Sequence, residues 1–243
     1  MSARARPSTC AACGFEGSRG WDACPRCGVW GSALPNAKQG AQAPAGRVRL
    51  ADLPDVPVPR LRCAEPWSTV LGGGLAEGST VLVYGKRGER KTTGLVQLAG
   101  SLGPRVMLCP CEMGQNAGSL HEVARRSGTD ARDLWVSSAY KLGELCAELA
   151  RPPAPRAFLL DSLSALAPDA EVAALLALRR ALPRACALVC IVHVTKAGGM
   201  GGEEKLAHAC DTIVRVTATH LTTEGEKNRY GALCTAPRPA LTF

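Results

Sequence analysis

The sequence predicts an α/β fold with a mostly parallel central sheet, preceded by a small cysteine-rich module. Short apolar runs alternate with longer amphipathic stretches, and strands that alternate with helices form a parallel sheet covered on both faces. One apolar run leads directly into a loop rich in glycine and basic residues. Two Cys-x-x-Cys pairs near the N-terminus indicate the additional module. The 243 residues suffice for one domain and such an appendage.

The N-terminal module is predicted to hold a structural zinc ion. Cys10 and Cys13 form one C-x2-C pair, Cys24 and Cys27 form another, and ten residues lie between the pairs. Four thiolates at this spacing converge tetrahedrally on one zinc and leave no open position for catalysis. So small a segment cannot bury an adequate core, so the metal would supply much of its folding free energy. The alternative is a set of four unrelated buried cysteines.

The remaining chain divides into a linker and one α/β domain. We expect the zinc finger to span residues 1–33, the linker residues 34–62 and the α/β domain residues 63–243. The linker is rich in Pro, Ala and Arg and has no apolar period.

Four apolar runs are predicted to be buried parallel strands, which need not alternate polar and apolar residues. These runs are 80–84, 105–109, 157–161 and 187–194. Four amphipathic stretches are predicted to be helices, namely 91–102, 115–127, 140–150 and 169–182. After residue 211 the pattern changes to shorter segments, which we expect to be closing strands and hairpins.

The composition is that of a basic globular protein. Hydrophobic residues make up 46% of the chain, which excludes a wholly disordered protein, and the net charge of +8 favours nucleic acid or anionic ligands. Aromatic residues are only 4%, so DNA contacts are expected from Arg and Lys to phosphates. No apolar run reaches the roughly 20 residues that cross a bilayer, and no secretory signal begins the chain. We therefore expect a cytoplasmic protein without a membrane partner.

The loop after the first predicted strand is similar to a phosphate-binding P-loop. Residues 85–93 read GKRGERKTT, against the pattern G-x-x-x-x-G-K-[ST]. Backbone amides of such a loop wrap phosphates at a helix N-terminus, Lys91 would contact the β- and γ-phosphates, and Thr92 would bind Mg²⁺. The predicted nucleotide-binding residues are Gly85, Gly88, Arg90, Lys91, Thr92, Thr93 and Asp161.

One loop position departs from the pattern, because Arg90 stands where the second glycine is usual. A side chain there can obstruct the close approach of backbone and phosphate. Alternatively, Arg90 swings outward and lends its positive charge to the site. The further alternative is a basic turn that matches the motif by chance.

Two acidic residues follow neighbouring predicted strands. Asp161 ends the run AFLLD and would hold Mg²⁺ through water, and Glu112 follows the run RVMLC and would activate an attacking water. Without the P-loop upstream, Glu112 reads more simply as a solvated loop carboxylate. His193 ends the last long strand and is either a sensor next to a glycine-rich loop or a side chain packed in the sheet.

Six motif segments follow one another along the chain: CAAC…CPRCGVWGS (10–32), VLGGGLAEGSTVLVYG (70–85), VMLCPCE (106–112), LLDSLSAL (159–166), HVTKAGGMGGEEKLAHACDTIV (193–214) and KNRYG (227–231). In this unbroken order they resemble the bacterial RadA/Sms DNA-repair family of the RecA-like ATPases. The resemblance implies a RecA-like core with an N-terminal zinc finger, hexameric rings, ATP with Mg²⁺, and branch migration of recombination intermediates. It implies single-stranded or branched DNA and a recombinase as partners.

The resemblance also assigns roles to charged residues outside the P-loop. Lys227 and Arg229 would reach the nucleotide of a neighbouring subunit as catalytic residues beside Lys91 and Glu112, and the loop 196–205 would face single-stranded DNA. Without the resemblance, Lys227 and Arg229 are read equally well as a solvated charged turn.

Three departures from the family pattern keep alternatives open. Arg90 replaces the P-loop glycine, Met113 stands where a second glutamate is usual, and the chain ends at Phe243. We therefore expect a short form without the family's C-terminal Lon-protease-like domain, which is linked to ring assembly and DNA binding.

The leading hypothesis is an ATP-hydrolysing, DNA-binding protein of recombinational repair. The alternative is a non-hydrolysing adaptor with a degenerate nucleotide site, and a nucleotide-driven regulatory kinase is a weaker third.

Overall fold

The computed structural model describes residues 57–112, 117–193 and 203–239, together with short N-terminal pieces. The N-terminal pieces include three strands, β1 (Ser8–Cys10), β2 (Glu16–Gly17) and β3 (Ala33–Pro35), which form an antiparallel sheet in the order β2-β1-β3. The carbonyl of Arg26 accepts a 2.7 Å hydrogen bond from the amide of Ala154, so this region contacts the α/β domain.

An eight-stranded sheet dominates the described part of the chain, in the order β13-β12-β11-β6-β10-β9-β7-β8. Its strands are β6 (Thr80–Gly85), β7 (Val106–Cys109), β8 (Trp135–Val136), β9 (Ala157–Leu160), β10 (Ala187–His193), β11 (Thr212–Val216), β12 (His220–Thr222) and β13 (Thr235–Pro237). Pairing is parallel from β11 to β8, whereas β12 and β13 are antiparallel at one edge. A separate pair joins β4 (Arg60–Leu61) and β5 (Leu75–Ala76). The predicted strands and closing hairpins are confirmed.

Seven helices lie in the described residues: α1 (Trp67–Val70), α2 (Lys91–Ser101), α3 (Ala117–Arg126), α4 (Leu142–Leu149), α5 (Leu163–Leu166), α6 (Glu171–Ala181) and α7 (Glu203–Ala209). All four predicted helices are present and end within a few residues of the predicted bounds. No side chain caps the N-terminus of α2, so the amides of its first turn stay available for a ligand.

Two apolar layers cover the sheet, one on each face. Val81 and Val83 of β6 pack with α1, α2 and α3, and Leu82 and Tyr84 pack with α4, α5, α6 and α7. Because successive strand residues point to opposite faces and both faces are buried, the strands are apolar without interruption. The predicted α/β class with a mostly parallel sheet is thus confirmed.

The carboxyl ends of four central strands meet at one edge of the sheet. His193 of β10 is in register with Gly85 of β6, and Leu160 of β9 is in register with Cys109 of β7. Ligands of open α/β sheets bind in the crevice outside this edge. Among the described residues, no helix has the length and apolar character of a membrane span.

Candidate functional site

The loop between β6 and α2 requires glycine at its first position. A Cβ on Gly85 would collide with the carbonyl oxygen of Val216 and lie 2.8 Å from Oε2 of Glu89. Gly88 has φ +86°, a left-handed conformation that glycine adopts without strain. These two glycines let the chain turn sharply from the strand into the helix.

Arg90, at the position where the P-loop pattern has its second glycine, has a left-handed backbone with φ 57° and ψ 39°. This left-handed conformation is uncommon for residues with a Cβ. The side chain reaches the turn after β11, where Nη2 donates a hydrogen bond to the carbonyl of Ala218. The backbone at Arg90 is therefore one that glycine adopts without strain. Its guanidinium is bound to a carbonyl oxygen of the protein.

Lys91 folds back over the loop. Its Nζ donates hydrogen bonds to the carbonyls of Gly85, at 2.9 Å, and Lys86, at 3.0 Å. An ammonium held in this way lies at the mouth of the loop next to the first amides of α2. A phosphate bound by those amides would receive the ammonium charge as well.

Asp161 and Thr92 form the oxygen-rich centre of the site. Thr92 Oγ1 donates to Asp161 Oδ2 at 2.5 Å, and the buried Asp161 is held by the bond from its amide to the carbonyl of Cys109. Burial raises the pKa of Asp161 to about 6, opposed by the Thr92 hydrogen bond and assisted by the charge of Glu112. A hydroxyl and a carboxylate in contact suit Mg²⁺, which prefers oxygen ligands.

Asp161→Asn is expected to stabilise the magnesium-free protein at pH 7.5 by about 1–3 kcal/mol. The pKa of Asp161 is about 6 in the folded protein, against an ordinary value of 3.8. Ionising this carboxyl therefore lowers the stability of the folded state as the pH rises from about 4 to 6, and the loss is complete above that interval. Asparagine removes that cost and still accepts the Thr92 hydrogen bond. Denaturant unfolding at pH 4 and pH 7.5 measures the effect, which should shrink at pH 4. Equal destabilisation at both values would contradict this account.

Glu112 is held by Ser162, which begins α5 after β9, and by His193, which ends β10. Its Oε1 accepts a 2.6 Å hydrogen bond from Ser162 Oγ and lies 2.5 Å from Nε2 of His193. Its amide donates to the carbonyl of Asp161 at 3.1 Å, and the amide of His193 donates to Ser164 Oγ. The carboxylate is therefore fixed at the edge of the sheet, as an acid or base beside a bound phosphate would need to be.

A cleft of about 630 Å³ unites these groups. The residues that line it are Gly85, Arg87, Gly88, Arg90, Lys91, Thr92, Thr93, Glu112, Arg126, Asp161 and His193. Basic side chains outnumber the two carboxylates, which suits a polyanionic ligand with one cation. The predicted residues of the P-loop, Asp161 and Glu112 are thus brought together.

Lys227 and Arg229 do not line this cleft. Lys227 Nζ donates to the carbonyls of Ala207, at 2.9 Å, and Cys210, at 2.5 Å, at the end of α7. The exposed Arg229 pairs with Asp211 at 3.1 Å. Within this chain both side chains secure the segment before β11, and their action on a neighbour's nucleotide stays a prediction.

Other predicted sites fall outside the described residues. Cys13, Cys24 and Cys27 lie there, as do the side chain of Cys10 and most of the loop 196–205. Elsewhere, in the described ranges from residue 57 onward, no three His, Cys, Asp or Glu side chains are grouped as metal ligands.

Sequence reasoning missed three arginines of the site. Arg87 and Arg126 line the cleft. Arg238 donates hydrogen bonds to the backbone carbonyls of Glu89 and Arg90 in the loop. Arg87 carried a signal, because it lies within the loop motif. Arg126 and Arg238 carried no such signal in the sequence, since neither lies in the loop motif or at a fixed sequence distance from it.

Comparison with known proteins supports the predicted family resemblance. The chain is 29% identical to DNA repair protein RadA of Pseudomonas aeruginosa over 96% of its own length and 57% of that protein's. It is 26% identical to DNA repair protein RadA of Escherichia coli, with 94% of the chain and 56% of the relative covered. The resemblance to the RadA/Sms family is confirmed, and the chain spans little more than half the length of these relatives. No protein-family model matches the chain.

A solved structure confirms the fold. The KaiC-like protein of Pyrococcus horikoshii superposes with a TM-score of 0.59 at 17% identity, over 74% of this chain and 94% of that protein. At this identity the likeness shows the fold alone, which is the predicted α/β fold with a mostly parallel central sheet.

Proposed function

We propose that this chain binds and hydrolyses ATP with Mg²⁺ in DNA repair, in the manner of the RadA proteins that it resembles over nearly its whole length. The observation that carries the proposal is the meeting of Lys91, Thr92, Asp161 and Glu112 in one cleft. Each of these residues comes from the end of a strand or the start of the helix after it, in the order that the sequence motifs predict.

Each side chain then has a defined task in phosphoryl transfer to water. Thr92 and Asp161 would hold Mg²⁺, which would supply positive charge to offset that of the phosphates. Lys91 would exchange its two carbonyl partners for the β- and γ-phosphates. Glu112, fixed by Ser162 and His193, would orient the attacking water and accept its proton.

A ring of subunits would complete the site. We propose that Lys227 and Arg229 act on the nucleotide of a neighbouring subunit, in a hexameric ring of the kind that the family resemblance implies. The exposed side chain of Arg229 can reach a neighbour when it exchanges Asp211 for phosphate. Lys227 would first have to leave the end of α7.

The second part of the proposal is that the chain binds single-stranded or branched DNA. It would take part in branch migration of recombination intermediates, together with a recombinase. The net charge of +8 supports contacts to DNA phosphates. The loop 196–205, which follows β10, would carry nucleotide-dependent contacts because His193 connects that strand to Glu112.

Fluorescence anisotropy with a labelled single-stranded oligonucleotide tests the DNA proposal. We expect binding in the presence of Mg²⁺ and a non-hydrolysable ATP analogue, with affinity falling steeply as salt rises. Lys196→Ala should weaken binding, whereas Lys141→Ala, an exposed lysine paired with Glu144, serves as the control. No affinity at low salt, with or without nucleotide, would reject this part of the proposal.

The N-terminal module is proposed to hold one zinc ion through Cys10, Cys13, Cys24 and Cys27. The support is the chemistry of the donor set, because four thiolates in two C-x2-C pairs satisfy tetrahedral zinc.

The purified protein is expected to contain one zinc ion per chain, and Cys24→Ser should reduce this to roughly a tenth, because three thiolates bind zinc far more weakly. Elemental analysis after dialysis measures the content. Cys146→Ser, which changes a free cysteine of α4, is the control and should keep its zinc. Equal zinc in both variants would show that the four cysteines are not the ligands.

A second candidate is a non-hydrolysing adaptor that uses nucleotide for structure only. The left-handed Arg90 favours it, since a Cβ occupies a position where the chain approaches phosphate closely. This candidate predicts that Lys91→Ala leaves the biological activity intact.

A further inference from the structure

Arg238 connects the P-loop to the turn between β11 and β12. Its Nη1 donates to the carbonyls of Glu89, at 2.8 Å, and Thr217, at 2.9 Å, and its Nη2 donates to the carbonyl of Arg90 at 3.0 Å. Its own amide donates to the carbonyl of Thr219 at 2.7 Å. One guanidinium thus ties the two loop residues before Lys91 to the antiparallel edge of the sheet.

The bonds of Arg238 determine where the loop amides point. In a trans peptide the N–H is directed opposite to the C=O of the same unit. Because Arg238 holds the carbonyls of Glu89 and Arg90 on its side, the amides of Arg90 and Lys91 face away from it. Those amides belong to the part of the loop that lines the cleft, where a phosphate accepts hydrogen bonds.

The left-handed backbone at Arg90 explains why such a restraint is needed. Glycine adopts φ 57° freely, whereas a residue with a Cβ is held there only by its surroundings. The side chain of Arg90 adds a second attachment to the same turn, at Ala218. Burial and the charge of Arg90 lower the pKa of Arg238 to about 10, which leaves the guanidinium charged at neutral pH.

We propose that Arg238 is a positioning residue that holds the P-loop in its phosphate-binding shape and so permits arginine at the glycine position 90. This inference rests on the proposed nucleotide site. Gly94 leaves room for the guanidinium, because a Cβ at this position would lie only 3.3 Å from Nη2 of Arg238.

The proposal predicts that the effects of Arg238→Ala depend on residue 90. With Arg90 present, loss of the guanidinium should release the loop backbone from its left-handed conformation. In an Arg90→Gly background the loop can adopt that conformation without strain, so it depends less on Arg238. The two substitutions are therefore expected to be strongly non-additive.

Two measurements on the full chain test this prediction in a double-mutant cycle. Hydrogen–deuterium exchange of residues 85–93 needs no nucleotide, and titration with fluorescent N-methylanthraniloyl-ADP and Mg²⁺ measures binding. Arg238→Ala should speed loop exchange and weaken binding by about tenfold or more, but by less than about threefold when Gly replaces Arg90. Arg238→Lys should restore part of both effects, because lysine keeps the charge without the planar fork.

Arg179→Ala is the matched control. Arg179 is also half-buried and donates to two carbonyls, those of Cys186 and Pro183. These carbonyls precede β10 and so lie at the amino ends of the parallel strands, away from the loop 85–93. It should not change exchange in the loop. If Arg238→Ala does not fold, Arg238→Lys with and without Arg90→Gly completes the same cycle.

The outcomes separate this inference from the proposed function. Coupling seen in loop exchange, in a chain that binds no ADP, would support the role of Arg238 and overturn the nucleotide site. Binding of ADP with equal effects of Arg238→Ala in both backgrounds, or with none, would overturn the role of Arg238 alone.

Discussion

Lys91→Ala is expected to reduce ATP turnover by at least about a hundredfold and to weaken nucleotide binding about tenfold or more. The Lys91 ammonium lines the cleft and donates to the carbonyls of Gly85 and Lys86. Alanine leaves those carbonyls and the bound phosphates without that charge. Phosphate release and titration with fluorescent ADP measure the two effects.

Lys86→Ala is the control for this variant. Lys86 is an exposed lysine of the same loop, and its backbone amide, which the substitution keeps, donates to Glu89. Turnover by Lys86→Ala should stay within a few-fold of the unchanged protein. If Lys91→Ala retains full turnover as Lys86→Ala does, Lys91 has no role in hydrolysis and its assignment to the phosphates is wrong. If the unchanged protein has no turnover and Lys91→Ala keeps the biological activity, the adaptor function is favoured.

Glu112→Gln is expected to lower turnover by roughly two to three orders of magnitude while ATP still binds. Glutamine keeps an oxygen for the hydrogen bond from Ser162, so the shape of the site is retained, but it cannot accept a proton from water. Single-turnover kinetics should then show normal binding with slow chemistry. The variant would accumulate with ATP bound.

A matched glutamate is available for comparison. Glu122 lies on the exposed face of α3 and pairs with Arg125, so Glu122→Gln should leave turnover unchanged. A loss of ATP affinity in Glu112→Gln that equals its loss of turnover would mean that Glu112 shapes the site rather than acting on water.

The central strands were predictable because both of their faces are buried. Runs such as 80–84 and 187–194 are apolar except for Thr80 and His193 at or near one end, and the structure places strands there with ends within about one residue. The shortest elements left no such signal. A single turn such as α5, or a two-residue strand such as β8, is too short to show a period.

The centre of the site was predictable because chain order determines which strand ends meet. Asp161 and Glu112 each follow a parallel strand, so topology alone brings them to the P-loop. Contacts between distant segments could not be predicted in this way. Arg238 meets Arg90 across 148 positions, and only the packing of the antiparallel edge creates that contact.

The consequences of Arg90 needed the structure. The sequence showed that a glycine was missing and left obstruction and outward rotation as alternatives. The backbone at Arg90 is left-handed, and its guanidinium binds Ala218 beyond the loop. The Ala218 contact agrees with the outward alternative for the guanidinium, while Arg90 still lines the cleft.

ATP turnover by the zinc-loaded protein, with and without single-stranded DNA, tests the central claim most directly when Arg90→Gly is assayed beside it. We predict that the unchanged protein hydrolyses ATP, that DNA stimulates turnover, and that Arg90→Gly differs by only a few-fold because Arg90 already has the left-handed backbone that glycine adopts freely. Turnover that appears only in Arg90→Gly would contradict the claim that this loop is competent. The absence of both turnover and nucleotide binding in the two proteins would overturn the ATPase function itself.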